Sequence, residues 1–243
     1  DFMAHYNLGC ALMGQGRLSE ARQRLEASLA LEANHADTIF QLARLAQGEG
    51  RLAEALDLFS RAAEIPECRP AVHRHLGEAL AASGRLSEAE DAFHKAVKVN
   101  PNDAAALASL AEMYLHREAN LEIVISLTRK ALELEPGAAR HMRIMANALV
   151  SLERLDEATE LLEQAVAQHP KDPFMALQMA RLQAARGETA AARDEYRRAL
   201  SLEPNLEEAR AGLAAIEGQA LSDDAAPEEP ESGDEQPEPE GIA

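Results

Sequence analysis

A six-residue segment returns along this chain at an almost constant interval. Gly16-Arg17-Leu18-Ser19-Glu20-Ala21 recurs as Gly50-Arg51-Leu52-Ala53-Glu54-Ala55 and as Gly84-Arg85-Leu86-Ser87-Glu88-Ala89, then more weakly over 153–158 and 187–192. The closing alanines stand at 21, 55, 89, 158 and 192, a period of 34 residues with one further unit of 35 inside the wide gap. Such a period signals stacked copies of one small supersecondary unit, because a single unit cannot bury its own apolar face and its neighbours must do so. It excludes one thick globular core.

Composition decides what the unit is made of. Apolar residues reach 47% while aromatics are only 3%, with no Trp, and much of the apolar share is Ala, the best helix former. Within each unit two stretches carry apolar residues at helical spacing. Gly16, Gly50, Gly84 and Gly187 separate the two stretches, and Pro101, Pro136, Pro170 and Pro204 close the second where a helix cannot continue. The first stretch carries Leu8-Gly9, Leu42-Ala43, Leu76-Gly77, Leu110-Ala111, Met145-Ala146 and Met179-Ala180. The second carries Ala21/Leu25/Ser28, Ala55/Phe59/Ala62, Ala89/Phe93/Ala96, Val124/Thr128/Ala131, Ala158/Leu162/Ala165 and Ala192/Tyr196/Ala199. This pattern resembles the tetratricopeptide repeat family. The resemblance implies an all-α fold, a right-handed superhelical solenoid of helical hairpins, in units 2–35, 36–69, 70–103, 104–138, 139–172 and 173–206.

Residues 207–219 repeat the first-helix pattern without a partner helix and read as a capping helix with Glu207, Glu208, Arg210 and Glu217 toward water. Residues 220–243 hold four prolines and nine acids without one base, so this stretch is expected to be a disordered acidic tail. It supplies half of the formal net charge of −18. Because the chain enters a helix at Phe2 without a Met, an upstream portion is expected.

The negative charge argues against nucleic acid as partner, since phosphates need a basic face. No run reaches the roughly 20 apolar residues of a membrane span, so no membrane insertion is expected. Cys10 and Cys68 are too few for a disulfide framework. The string Gly48-Glu49-Gly50-Arg51-Leu52-Ala53 fits a dinucleotide fingerprint in letters only, because it lies between two helices and recurs with the repeat. His73 and His75 are two apart on a helix and point to different faces. Glu20, Glu54, Glu88 and Glu157 read as solvated acids at helix starts. Neither a catalytic constellation nor a metal or cofactor site is expected, and the chain does not read as an enzyme.

What remains is a binding groove. In the family that the chain resembles, first helices line the concave side, which implies inward-facing Asn7, Gln41, Arg44, Arg74, His75, Arg143, Asn147, Gln178 and Arg181. One equivalent position reads Asn7, Gln41, His75, Ser109, Ile144, Gln178, a ladder able to hold the backbone of an extended peptide. Arg44, Arg74, Arg140, Arg143 and Arg181 outnumber Asp37, Glu78 and Glu112 there, so an acidic peptide or chain terminus is the expected ligand, with Tyr6, Phe40 and Phe174 as apolar anchors. The ordered Lys/Asn set of chaperone-tail receptors is missing, so that partner is not expected. The function expected is a protein- or peptide-binding scaffold. The alternative is the C-terminal regulatory or substrate-docking part of a larger enzyme, a transferase or sulfatase-like hydrolase, with its catalytic domain upstream.

Overall fold

The structure, a computed structural model, describes residues 1–66, 68–118 and 120–223. Among the described residues, twelve helices form six antiparallel hairpins: α1 (Phe2–Gly14) with α2 (Leu18–Leu31), α3 (Ala36–Gly48) with α4 (Leu52–Glu64), α5 (Ala71–Ala82) with α6 (Leu86–Val99), α7 (Ala104–His116) with α8 (Leu121–Leu134), α9 (Ala139–Ser151) with α10 (Leu155–Gln168), and α11 (Pro173–Ala185) with α12 (Thr189–Leu202). A thirteenth, α13 (Glu207–Asp223), packs on α12 and α11. Its backbone continues through residues 220–223, which the sequence reading gave to the tail. The rest of that tail, 224–243, lies outside the described residues. Among the described residues there is no β-strand, and no helix is long and apolar enough to cross a membrane.

Local chemistry sets the hairpin turn. Gly16, Gly50, Gly84 and Gly187 all sit at φ of 75–77°, the left-handed conformation that ends a helix at little cost only in glycine. The next amide then reaches back to the first helix, as in Arg17 N–H to the Leu12 carbonyl at 3.0 Å and Arg51 N–H to that of Ala46 at 2.8 Å. In the fifth unit Glu153 takes the same place at φ 57°, and in the fourth Glu118 and Asn120 are left-handed at 49° and 54°.

The recurrent acids at the second-helix starts are not merely solvated. Arg17, Arg85 and Arg154 each clasp the glutamate three residues on, Glu20, Glu88 and Glu157, through two hydrogen bonds of 2.6–2.8 Å, and Arg51 pairs with Glu54 at 2.7 Å. The arginine next to the turn glycine and the glutamate therefore recur together. Being exposed, these forks add little to stability.

Each hairpin closes on small residues. Ala21, Ala55, Ala89, Ala158 and Ala192 are fully buried, and so are the residues one helical repeat on, such as Leu25, Phe59 and Leu162. First helices also touch one another, α5 with α7, α7 with α9, α9 with α11 and α11 with α13, whereas second helices make no comparable contact among themselves. From α5 onward the array therefore bends with its first helices inside.

One buried and one half-buried imidazole, His141 and His73, make the stack sensitive to acid. Burial lowers the pKa of His141, with Glu135 opposing it, and lowers that of His73, with Lys95 helping. A group that the folded state holds neutral binds its proton first in the unfolded chain, so stability rises with pH between the folded pKa and the ordinary value of about 6.5. Urea midpoints should therefore fall as pH drops below about 6.5, and His141→Gln should flatten that slope. An identical slope in the variant would remove His141 from the account.

Candidate functional site

The inner face divides into two halves that differ in how their polar groups are used. In the amino-terminal half many of them pair with each other, although Arg74 Nε and His75 Nδ1 are left without a hydrogen-bond partner. Arg44 donates to Gln41 at 3.2 Å, Arg74 donates to Glu78 at 2.7 Å and lies 3.1 Å from the His75 ring, and Arg69 reaches both Asp37 and the Tyr6 hydroxyl. Burial disfavours the ionised form of Glu78, but His75 and Arg74 outweigh it and hold the carboxyl below its ordinary pKa.

Two of the expected anchors are consumed by packing. Tyr6 is buried edge-on against His35, and Phe40 is buried between Phe59 and His75, with ring centroids 5.9 and 5.3 Å away. Phe174 alone of the three stands open, 37% exposed. The amide ladder also sinks: Gln41, Ser109, Ile144 and Gln178 are buried, His75 is half-buried, and only Asn7 is exposed. The excess of arginine is largely answered from within, by Asp103 near Arg74, Glu112 on Arg140 at 2.6 Å, and Glu208 on Arg181 at 2.8 Å.

The carboxyl-terminal half is different. Between α7, α9, α11 and the start of α13 lies a recess of about 490 Å³, floored by the buried Ile144 and Leu177 and walled by polar side chains. It brings together four of the nine expected residues, Arg143, Asn147, Gln178 and Arg181, and leaves Asn7, Gln41, Arg44, Arg74 and His75 outside. The Arg143 guanidinium lies 4.9 Å over the Phe174 ring, a cation–π arrangement, with its nearest carboxylate, Glu112, at 3.6 Å. Among the described residues, Arg143, Asn147 and Gln178 make no side-chain hydrogen bond, and the buried Gln178 Oε1 has no partner. A buried carbonyl oxygen left without a donor costs about 1–3 kcal/mol, which a ligand donor would recover.

Glu208, Ser151 and Glu118 also line this recess and escaped the sequence reading. Glu208 is exposed to solvent and at the same time reaches Arg181 at 2.8 Å across the rim of the recess. A signal was present, since Arg22–Glu49, Glu90–Arg117 and Arg181–Glu208 are all 27 residues apart and Glu112–Arg140 is 28 across the unit with the extra residue. Opposite charges at that spacing meet across neighbouring units. Among the described residues, no cluster of three or more His, Cys, Asp or Glu is placed to hold a metal ion.

Comparison with known proteins bears on this architecture. No curated sequence matches the chain. Among solved structures, the chain in the APC/C hetero-tetramer Cut9–Hcn1 superposes with a TM-score of 0.74 at 17% identity, over 89% of this chain but 42% of that one. This chain thus spans well under half of that relative. PilF of Pseudomonas aeruginosa gives 0.73 at 19% identity over 90% of this chain and 97% of its own. YrrB, described as a TPR protein with an unusual peptide-binding site, gives 0.64 at 18% over 79% and 97%. At these identities the likeness shows the fold alone. Models of the tetratricopeptide repeat match residues 12–74, 46–114 and 139–182, together more than half of the sequence. The chain belongs to the tetratricopeptide repeat family.

Proposed function

We propose that this protein is a protein-binding scaffold that holds an extended peptide segment in the recess between α7, α9, α11 and α13. The observation that carries the reading is the unused hydrogen-bonding capacity of Arg143, Asn147 and Gln178 gathered in one recess, whereas Arg44, Arg69 and Arg74 in the amino-terminal half are engaged by Gln41, Asp37 and Glu78. An amide side chain offers the donor and acceptor that a peptide unit needs, and the Arg143 fork suits a carboxylate. Ile144, Leu177 and the exposed edge of Phe174 supply apolar contact. The ligand best matched is a peptide with an acidic side chain or terminal carboxylate beside an apolar residue. A related solenoid, YrrB, is described as having a peptide-binding site, which supports the reading by fold.

A peptide array followed by anisotropy titration of its hits is the test. Arg143→Ala combined with Asn147→Ala should weaken the hits at least ~10-fold, the equivalent of losing one charge-assisted hydrogen bond. Arg44→Ala with Arg74→Ala should leave them within about twofold, since these side chains are occupied within the protein. The reverse ranking, or equal profiles for all three proteins, would remove the recess as the site.

A further inference from the structure

Two arginines line the recess, and they stand in different states. Arg143 keeps its nearest carboxylate, Glu112, at 3.6 Å, whereas Arg181 donates to Glu208 at 2.8 Å. Among the described residues, Glu208 is the only carboxylate within ion-pair distance of Arg181. The contact is a single hydrogen bond, Nη2 to Oε2, so the guanidinium fork is only half used. At the hairpin turns the same residue types do better, as where Arg17 grips both oxygens of Glu20 at 2.8 and 2.6 Å. The pairs at the same sequence spacing as Arg181–Glu208, Arg22–Glu49 and Glu90–Arg117, do not line the recess.

The seat of α13 does not depend on this bond. Leu206, Ala209 and Ile216 are buried in one cluster with Ala176, Ala192, Tyr196 and Ala199. The backbone of α13 lies so close to the Tyr196 ring that a Cβ on Gly212 would come within 2.3 Å of it. Glu217 adds a pair to Arg197 of α12 at 3.0 Å. Glu208, by contrast, leaves 60% of its side chain in water, where an ion pair contributes little net stability. It also stands in the first turn of α13, where the positive end of the helix favours a carboxylate whether or not Arg181 is held. Glu208 can therefore leave Arg181 at small cost while α13 stays in place.

We propose that Arg181 is a second carboxylate-binding arm of the recess, and that Glu208 is its built-in competitor, displaced by an acidic group of the bound peptide. This inference rests on the reading of the recess as a peptide site. A carboxylate brought by a peptide is not tethered to α13, so it can take both N–H groups of the fork, the stronger arrangement. A peptide without an acid leaves Glu208 where it is and gains nothing from Arg181. The exchange thus makes the recess select carboxylate over amide, because only a carboxylate replaces what Glu208 supplies.

The test is an NMR titration of the full chain with two acetylated, amidated pentapeptides, Ala-Leu-Glu-Leu-Ala and Ala-Leu-Gln-Leu-Ala, in which the glutamate is the sole charge. Glu208→Gln should lower the Kd of the glutamate peptide about threefold or more, and should leave that of the glutamine peptide nearly unchanged. Glu208→Ala should give the same gain, which shows that the new amide at 208 is not its source. Adding Arg181→Ala to Glu208→Gln should abolish the gain, since the two residues then act as one coupled pair. A Kd for the glutamate peptide that Glu208→Gln leaves unchanged or raises would overturn the proposal. So would an equal gain for both peptides, which would mean that Glu208 only narrows the entrance. In either of these cases the recess itself stands if Arg143→Ala with Asn147→Ala still weakens binding. Absence of saturable shifts in the recess at about 10 mM glutamate peptide would sink both readings together.

Discussion

Phe59→Ala should lower the unfolding free energy by about 3–5 kcal/mol, the usual range for deleting a fully buried aromatic ring. The ring has no solvent exposure and stacks on His75 with centroids 5.6 Å apart, so it ties the second unit to the third. Its apolar neighbours belong to a cluster drawn from α1 to α5, with Leu25, Ile39, Leu42 and Val72 among them. In a solenoid, stability is a sum of unit and nearest-neighbour contributions, so the loss should be felt where those contacts are. Hydrogen exchange should show protection falling in α1–α5 while α9–α12 keep theirs, and urea unfolding should broaden into two steps. The recess around Arg143 lies beyond the weakened region, so ligand affinity measured at low temperature should survive the substitution. A uniform loss of protection along the chain would show that the stack unfolds as one unit, and a loss below about 1 kcal/mol would mean the cavity collapses almost without cost.

The hairpin array was legible in the sequence because its causes are local and repeated. The glycine of the turn, the alanine four residues after the adjoining arginine and the proline past the second helix each act within a few residues, and six copies make the register unmistakable. The site was legible only as a face. Helical spacing says which side chains point inward, but not how closely neighbouring first helices approach, and that distance buries Gln41, Ser109 and Gln178 while leaving Asn7 in water. Counting arginines on the face also misled, because the count left out two acids that answer them, Asp103 at the end of Arg74's own unit and Glu208 of α13 for Arg181. Phe40 and Phe174 occupy neighbouring places in the inward pattern and had equal standing as anchors. The structure separates them, since Phe40 meets the bulky Phe59 and His75 while Phe174 meets only the open side of Arg143.

Gly77→Ala should destabilise the protein by about 1–2 kcal/mol even though alanine is the better helix former by roughly 1 kcal/mol. The reason is the approach of α5 to α6: a Cβ on Gly77 would lie 2.7 Å from two ring carbons of Phe93 and 3.0 Å from a third. Phe93 is buried among Leu80, Ala92, Leu110 and Met113, so the ring cannot swing into solvent and the two helices must separate instead. The second unit shows the alternative solution, with Ala43 opposite Phe59 and both fully buried. The pairing of alanine with phenylalanine is therefore possible in this fold, and the cost in the third unit is that of moving α5 from its present seat. A double-mutant cycle isolates this cause. In a Phe93→Leu background, Gly77→Ala should cost nothing or stabilise, because the ring carbons are gone and the helix propensity of alanine remains, giving a coupling of at least about 1 kcal/mol. The first unit supports the choice of leucine only in part, since Gly9 there faces Leu25 at 2.7 Å, so a shorter, more adaptable side chain at 93 must also repack. Additive effects in the cycle would place the cost of the substitution somewhere other than the contact between Gly77 and Phe93.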